Sequence, residues 1–321
     1  MSRTNRFLIS LAIGLAAGAI CYAYQVRFDR SGSDLGWVLQ SEPALLAGQN
    51  PYLATAQTWP LRYPLATLLA LLPLAWMPLN AAAGVFFGLS SAALAYALTR
   101  SGRWPLLLFI AFPFWGALQV AQWSPLMCVF YLYPALVSLT ILKPSLGLPV
   151  VLSAGLTRRD VAIAAVVVAV SFAILPSWPF DMLAMAAGHP HVIPVLTAPG
   201  IAVLLLAAVR WRVLARSRGA RLVAAFAFIP QTLFYDTLLL GLAAETPRSM
   251  LLFVVASWVG YVGWYFAPVI GLARLGDLWL MTLLYLPIAI AAFRRAPAPL
   301  RADPLPEPQA LRALRLFKHA D

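Results

Sequence analysis

The chain has 321 residues, of which 62% are hydrophobic and only 11% are charged, and its mean hydropathy is +0.82. These values exclude a soluble globular protein and predict an integral membrane protein of all-α architecture. The net charge of +12 comes from basic residues that cluster beside apolar stretches and in the tail. It therefore predicts membrane orientation rather than nucleic-acid binding.

The first apolar stretch, residues 7–25, follows the basic residues Arg3 and Arg6. It is long enough to span a bilayer and no small-residue cleavage site follows it, so we expect a retained helix whose amino end is cytoplasmic. The longest polar interruption of the chain comes next, at residues 26–60. It holds two basic and three acidic residues, and this lack of positive charge is typical of an extracytoplasmic loop.

Apolar residues recur at helical spacing inside this loop and predict a short amphipathic helix that ends near Gly48. The residues are Leu35, Val38, Leu39, Leu45 and Leu46. We expect this helix to lie in the membrane interface.

Further apolar stretches occur along the rest of the chain. They cover residues 62–79, 81–99, 104–118, 123–142, 146–156, 160–176, 194–209, 220–243, 249–271 and 276–293. Together with the first stretch they predict a polytopic bundle of roughly 10–12 transmembrane helices within a membrane domain of residues 1–296. Several stretches are short or interrupted by proline, which predicts broken half-helices around a polar cavity.

Arginine runs set the expected topology. They are Arg158 with Arg159, the residues from Arg210 to Arg221, and those from Arg294 to Lys318. We expect these segments in the cytoplasm of a bacterial cell, with both termini inside and residues 297–321 forming a basic tail on the inner leaflet of the plasma membrane. Arg100 and Arg103 fall outside if every stretch before them crosses the membrane, so their side stays open.

Carboxylates are so few that each can be considered as a general base. Asp160, at a helix start, and the tail residues Asp303, Glu307 and Asp321 are expected to be structural or solvated. The remaining candidates are Asp29, Asp34 and Glu42 in the first outer loop, Asp181 in a later loop, and Asp236 at apparent membrane depth. An ionisable residue at membrane depth is a functional hypothesis by default.

Asp34 allows two interpretations. The residues SGSD before an amphipathic helix are typical of a helix N-cap. A carboxylate at the tip of an interfacial helix can also reach a lipid headgroup and take a proton from an acceptor hydroxyl. One residue can do both, so the sequence leaves the two open.

Five short sequence motifs occur one after another in the first half of the chain. They are SDLGWVL at 33–39, GQNPY at 48–52, RYPLATLLALLPLAWMPL at 62–79, AQWSPL at 121–126 and LKPSLGLPVVL at 142–152. This order resembles the polyprenol-phosphate-dependent glycosyltransferases of the GT-C fold, specifically glycosyltransferase family 87. Three features depart from that family: Leu65 replaces the second proline of its Tyr-Pro-Pro-Leu segment, Ala121 replaces the glycine of its Gly-Gln motif, and PQTLFYD at 230–236 replaces its late histidine motif.

The resemblance implies a GT-C-like helical bundle that transfers mannose, or a related hexose or pentose, with inversion. The donor is a sugar carried on a polyprenyl phosphate, and the acceptor is a lipid, glycan or protein on the extracytoplasmic face. Asp34 is then the general base. We expect no cofactor besides the lipid-linked donor and no metal ion.

The resemblance and the charge of the leaving phosphate also select substrate-binding candidates. Arg62, Tyr63 and Lys143 are candidates for the donor phosphate, while Gln49 and Gln122 are candidates for sugar or acceptor hydroxyls. Tyr235 and Asp236 are the candidates from the departing late motif. The alternative interpretation of Lys143 and Arg62 is that they anchor helices at the membrane interface.

Other interpretations stay open. A transporter or lipid flippase would use the broken helices and Asp236 to line a substrate path, and a degenerate, non-catalytic member would keep the fold without the reaction. His189 and His191 have the spacing of metal ligands but lack a nearby third ligand, so we expect a polar outer turn there.

Overall fold

The computed structural model describes residues 1–186, 192–230, 232–269 and 275–294, without the side chain of Leu233. These residues form helices and no β-strand, which confirms the predicted all-α class. The α-helices are α1 Arg3–Arg27, α2 Ser33–Leu39, α3 Glu42–Leu46, α4 Pro51–Ala54, α5 Leu65–Leu71, α6 Leu79–Leu98, α7 Phe112–Gln119, α8 Ser124–Leu132, α9 Pro144–Ala154, α10 Arg158–Ile174, α11 Trp178–Ala186, α12 Ala198–Val209, α13 Trp211–Arg216, α14 Arg218–Phe226, α15 Leu233–Asp236, α16 Pro247–Phe266, α17 Gly276–Leu280 and α18 Leu286–Arg294. Segments of 3₁₀-helix lie at Leu72–Leu74, Thr99–Ser101, Trp104–Ile110, Pro134–Leu142, Pro194–Leu196 and Thr237–Ala243, and a π-helical turn, Met281–Tyr285, joins α17 to α18.

Four helices in the described ranges are long and apolar enough to cross a membrane. They are Arg3–Arg27, Leu79–Ser101, Pro247–Phe266 and Gly276–Arg294. The pair α10 and α11, bent by 93°, would make a fifth crossing. The prediction of roughly 10–12 spanning helices is therefore wrong for the described residues, because the other apolar stretches form pieces shorter than the ~20 residues that a crossing needs. The predicted basic tail, residues 297–321, lies outside the described residues.

Broken half-helices are confirmed between Gln122 and Lys143. α8 follows Gln122 and is nine residues long. The 3₁₀ segment Pro134–Leu142 then leads back to Lys143, whose ammonium contacts the Gln122 side chain. Nine residues of α-helix cover only ~14 Å, about half of a bilayer core. Pro134 forces this break because it has no backbone N–H for a continuing helix.

α1 and α6 pack closely against each other through small residues. A Cβ added at Gly14 would lie 2.6 Å from Ala92 Cβ, and one added at Gly18 would lie 2.8 Å from the Gly84 carbonyl oxygen. A Cβ at Gly88 would lie 2.9 Å from the Gly14 carbonyl oxygen. Two antiparallel helices with four-residue glycine spacing therefore pack backbone against backbone, as small residues allow in membrane bundles.

We expect Gly14→Leu to disrupt this helix pair, because the added side chain has no room between α1 and α6. Overpacking of a tight interface costs about 1–3 kcal/mol. The measurement is thermal unfolding of the purified protein in detergent, with Ala16→Leu as the control, since Ala16 is exposed on the same helix. Equal melting temperatures for the two variants would contradict the close packing.

The position of Arg100 becomes clear from the same helix pair. Arg6 Nη2 donates to the Tyr96 carbonyl oxygen at 2.7 Å, so the start of α1 lies beside the end of α6. The stretch 62–79, expected to cross the membrane, forms only the short helices α5 and Leu72–Leu74 before α6 begins. α1 and α6 are therefore consecutive candidate spans, and Arg100 lies at the same end as the amino terminus.

Further arginines lie at the end of the molecule that holds Arg100. The Arg100 guanidinium lies 5.3 Å from the Tyr133 ring centroid, and that of Arg218 lies 4.0 Å from the Tyr131 ring centroid. Arg221 Nη2 donates to the Ser153 carbonyl oxygen at 2.9 Å. Tyr131 and Ser153 lie at the carboxyl ends of α8 and α9, whereas Gln122 and Lys143 lie just before the amino ends of these helices.

The first loop folds into the protein instead of lying on the lipid. Its apolar residues form two short helices, α2 and α3. Leu35 and Val38 are fully buried and Leu39 is 4% exposed, since α2 packs against α5 and α6. The prediction of a single helix lying in the membrane interface is therefore wrong for α2, whose apolar residues are buried in the protein. Its carboxylate, Asp34, is held inside the bundle.

Candidate active site

Asp34 is the second residue of α2 but does not cap it. The N-cap residue is Gly32, whose φ of 78° places it in the left-handed region, and α2 has no side-chain cap. The Asp34 amide donates to the Val120 carbonyl oxygen at 3.2 Å, which ties α2 to the segment before Gln122. The N-cap interpretation is wrong, because the Asp34 side chain points away from the helix start towards Gln122.

Two side chains from distant parts of the chain donate to the same carboxylate oxygen of Asp34. Gln122 Nε2 lies 2.6 Å from Asp34 Oδ2, and the Tyr235 hydroxyl lies 3.0 Å from it. Asp34 Oδ1 accepts no hydrogen bond from the described residues, and the residue is partly exposed. The carboxylate therefore has one oxygen held in place and one available to a substrate proton.

Lys143 continues this network on the other side of Gln122. Its ammonium donates to Gln122 Oε1, which also accepts from the Trp123 amide at 2.8 Å. Because two donors meet at Oε1, the amide group is oriented with Nε2 towards Asp34. Lys143 Nζ also lies 3.8 Å from Asp236 Oδ1. Lys143 is only 7% exposed, so the prediction of an anchor at the membrane interface is wrong.

The charges around Asp34 act in opposite directions. Burial raises the pKa of the Asp34 carboxyl above its usual range, and the charges of Lys143 and Arg62 and the hydrogen bonds from Tyr235 and Gln122 oppose this rise without cancelling it. A carboxylate with a raised pKa holds a proton more tightly and is a better general base near neutral pH.

Arg62 and Tyr63 line the site from the segment that leads into α5. The Arg62 guanidinium lies 4.7 Å from the Trp37 ring centroid and is half-buried. The Tyr63 ring lies 5.9 Å from Lys143 Nζ, and its carbonyl oxygen accepts from the Tyr52 hydroxyl at 2.9 Å. The structure thus brings both predicted residues to the network.

Gln49 is the one predicted site residue that the structure does not bring to Asp34. It is exposed in the turn after α3, and only its backbone N–H has a hydrogen bond among the described contacts, to the Ala44 carbonyl oxygen at 2.8 Å. Trp123, the residue after Gln122, is 1% exposed and packs against Phe86. Trp123 therefore has no surface open to a substrate, and Gln49 has no described contact with Asp34.

The other carboxylates have structural positions. Asp181 accepts from Asn50 Nδ2 at 2.8 Å and links α11 to the first loop. Asp160 forms a capping box with Thr157 at the start of α10, which confirms its predicted structural role. Asp29 is exposed. Among the outer-loop candidates, Asp34 alone joins the network of Gln122 and Lys143 in the described part of the chain.

Glu42 is a polar residue whose environment the sequence did not reveal. It is 0% exposed, and neither carboxylate oxygen has a hydrogen-bond partner among the described residues. Burial raises the pKa of Glu42 to about 7. From the sequence, Glu42 is a glutamate before Pro43 in a polar loop, and this pattern does not predict that the α2–α3 junction is buried.

Backbone strain accompanies both central residues. Ser33 has a φ of 50° and Ala121 a φ of 49°, and these residues directly precede Asp34 and Gln122. Residues other than glycine adopt this left-handed region at a cost of about 1 kcal/mol or more. The strained turns aim the two following side chains at each other.

Ala121→Gly is expected to raise the melting temperature of the protein, because glycine adopts the left-handed conformation without strain. The control is Ala117→Gly, which removes an equally buried methyl group from the interior of α7 and is expected to cost about 1 kcal/mol. Thermal unfolding in detergent compares the two variants. If Ala121→Gly destabilises the protein as much as Ala117→Gly, the strain is not stored at this residue.

No group of three or more histidine, cysteine or acidic side chains that could hold a metal ion occurs among the described residues. The predicted polar turn with His189 and His191 lies outside them.

Comparison of the chain with protein-family models, with curated proteins and with solved structures finds no match. The geometry around Asp34 is therefore the feature of the molecule that points to a function.

Proposed function

We propose that this protein is an integral membrane glycosyltransferase that moves mannose, or a related hexose or pentose, from a polyprenyl phosphate to a lipid, glycan or protein acceptor with inversion. The observation that carries the proposal is the convergence of Asp34, Gln122 and Lys143, three residues from separate motifs, on one hydrogen-bonded network. The half-buried Arg62 and the rings of Tyr63 and Tyr235 surround this network.

In the proposed reaction, Asp34 Oδ1 takes the proton of the acceptor hydroxyl. The acceptor oxygen forms a bond to the anomeric carbon of the sugar while the bond from that carbon to the phosphate oxygen breaks. The electron pair leaves with the polyprenyl phosphate, which gains one negative charge. Arg62 is a cation beside Asp34 on a partly exposed residue, so it can meet this charge. A fixed cation accelerates a reaction where charge develops in the transition state.

Membrane topology supports an extracytoplasmic site. Arg6, Arg100 and Arg218 gather at one end of the bundle, whereas Asp34 lies at the opposite ends of α8 and α9. Because cytoplasmic ends of membrane proteins carry the excess of arginine and lysine, we assign the arginine-rich end to the cytoplasm. The amino terminus then lies inside and Asp34 faces outside.

The test is transfer in proteoliposomes that contain the purified protein, a radiolabelled mannosyl or pentosyl polyprenyl phosphate, and a bacterial membrane-lipid extract as acceptor. We expect a labelled product of changed mobility on thin-layer chromatography, with release of unlabelled polyprenyl phosphate. Movement of the labelled donor between leaflets without a covalent product would reject the proposal and favour a flippase.

A further inference from the structure

Asp236, in the second half of the chain, joins the network through Lys143 and has no described hydrogen bond with Asp34. It lies on α15, a single helical turn after Pro230, and is 3% exposed. Its Oδ2 accepts from the Thr232 amide at 2.8 Å. Its Oδ1 is buried without a hydrogen bond among the described residues and faces Lys143 Nζ at 3.8 Å.

The buried charges at this point depend on one another. Lys143 is an ammonium inside the protein, and an isolated buried charge is strongly unfavourable. Asp236 is the carboxylate that forms a salt bridge with it in the described structure. The ammonium in turn donates to Gln122 Oε1, and the opposite end of that amide donates to Asp34 Oδ2. A continuous chain of polar contacts therefore joins Asp236 to Asp34.

We propose that Asp236 is a positioning residue, not a substrate ligand: it holds the Lys143 ammonium on the Gln122 amide and thereby sets the orientation and the charge balance of Asp34. That Asp34 acts as a base rests on the proposed function, whereas the coupling between the two carboxylates does not. The proposal replaces the expectation that Asp236 and Lys143 bind substrate.

The proposal predicts opposite effects of the two partners on Asp34. Asp236→Asn removes a negative charge and leaves Lys143 to favour the ionised Asp34, so Asp34 should protonate only at lower pH. Lys143→Met removes the positive charge and should have the reverse effect. The other titratable groups that act on Asp34 are retained in all variants; they are Arg62, Tyr63 and Tyr235.

The experiment measures protonation of Asp34 directly and needs no enzymatic activity. The full-length protein in detergent is treated with dicyclohexylcarbodiimide, which adds to protonated carboxylic acids, over a pH series. Mass spectrometry of the peptides then gives the pH of half-maximal labelling at Asp34, with the exposed Asp29 as an internal control. The variants are Asp236→Asn, Lys143→Met and the double variant, which removes both charges of the pair.

We expect the half-labelling pH of Asp34 to fall by about 1 unit in Asp236→Asn and to rise by about 1 unit in Lys143→Met. If Lys143→Met fails to fold because Asp236 is left unpaired, the double variant replaces it and should label at higher pH than Asp236→Asn. Shifts in the same direction, or midpoints unchanged in both comparisons, would overturn the coupling. Absence of sugar transfer by the wild-type protein would reject only the proposed function.

Discussion

Asp34→Asn is expected to lower sugar transfer by about 10²–10⁴-fold while the protein stays folded. Loss of a general base costs a factor of this size. The amide oxygen of asparagine still accepts the hydrogen bonds that Gln122 and Tyr235 donate to Asp34 Oδ2, so the network keeps its geometry. The measurement is the initial rate of label transfer from the polyprenyl-phosphate donor in proteoliposomes.

The matched control is Asp29→Asn, which makes the same chemical change at an exposed position five residues earlier in the same loop. Asp29→Asn should transfer sugar at the wild-type rate. Melting temperatures of the two variants show that each is folded. Full activity of a folded Asp34→Asn variant would remove Asp34 from the mechanism and leave the polar network as a structural element of the bundle.

The convergence at Asp34 was accessible to sequence analysis through the order of the motifs. Asp34, Gln122 and Lys143 were each selected from a separate motif, and the structure joins them by direct hydrogen bonds. Their individual geometry was not accessible. The left-handed φ of Gly32 and Ser33 turns Asp34 away from the helix end, so residues with the composition of an N-cap do not form one.

The contacts of α15 could not be predicted from the sequence, for a different reason. Tyr235 and Asp236 lie in a single helical turn, which is too short to show a hydrophobic periodicity. Their partners Asp34 and Lys143 are far away in the chain, and composition does not predict such pairings. An apolar sequence around Asp236 therefore indicated membrane depth but not the ion pair.

Hydropathy overestimated the number of spanning helices because an apolar segment has the same hydropathy whether lipid or protein surrounds it. α5 illustrates this, since Leu65 and Leu68 are fully buried inside the bundle. Counting the stretch 62–79 as a crossing also left the side of Arg100 open, whereas the structure places Arg100 at the same end as the amino terminus. The same ambiguity affected the first loop, where the apolar face of α2 packs on α5 and α6 instead of on lipid.

Glu42→Gln is expected to remove a pH-dependent loss of stability from the wild-type protein. Burial holds the pKa of Glu42 at about 7 in the folded protein, whereas a glutamate in an unfolded chain ionises near pH 4.3. The folded state therefore binds more protons than the unfolded state between these two values. Stability from this group is fully present below about pH 4 and falls as the pH rises towards 7, by up to about 3 kcal/mol.

The physical reason lies in the α2–α3 junction, where the Glu42 oxygens have no hydrogen-bond partner among the described residues. Ionisation there leaves a carboxylate buried without compensation, whereas glutamine has the same shape and stays neutral. We expect the melting temperature of the wild-type protein in detergent to fall more steeply between pH 5 and pH 8 than that of Glu42→Gln. The control is Asp29→Asn, which also replaces a carboxylate by its amide but at an exposed position, and it should follow the wild-type curve. Parallel pH curves for all three proteins would show that Glu42 finds a compensating partner in solution and that its burial does not limit stability.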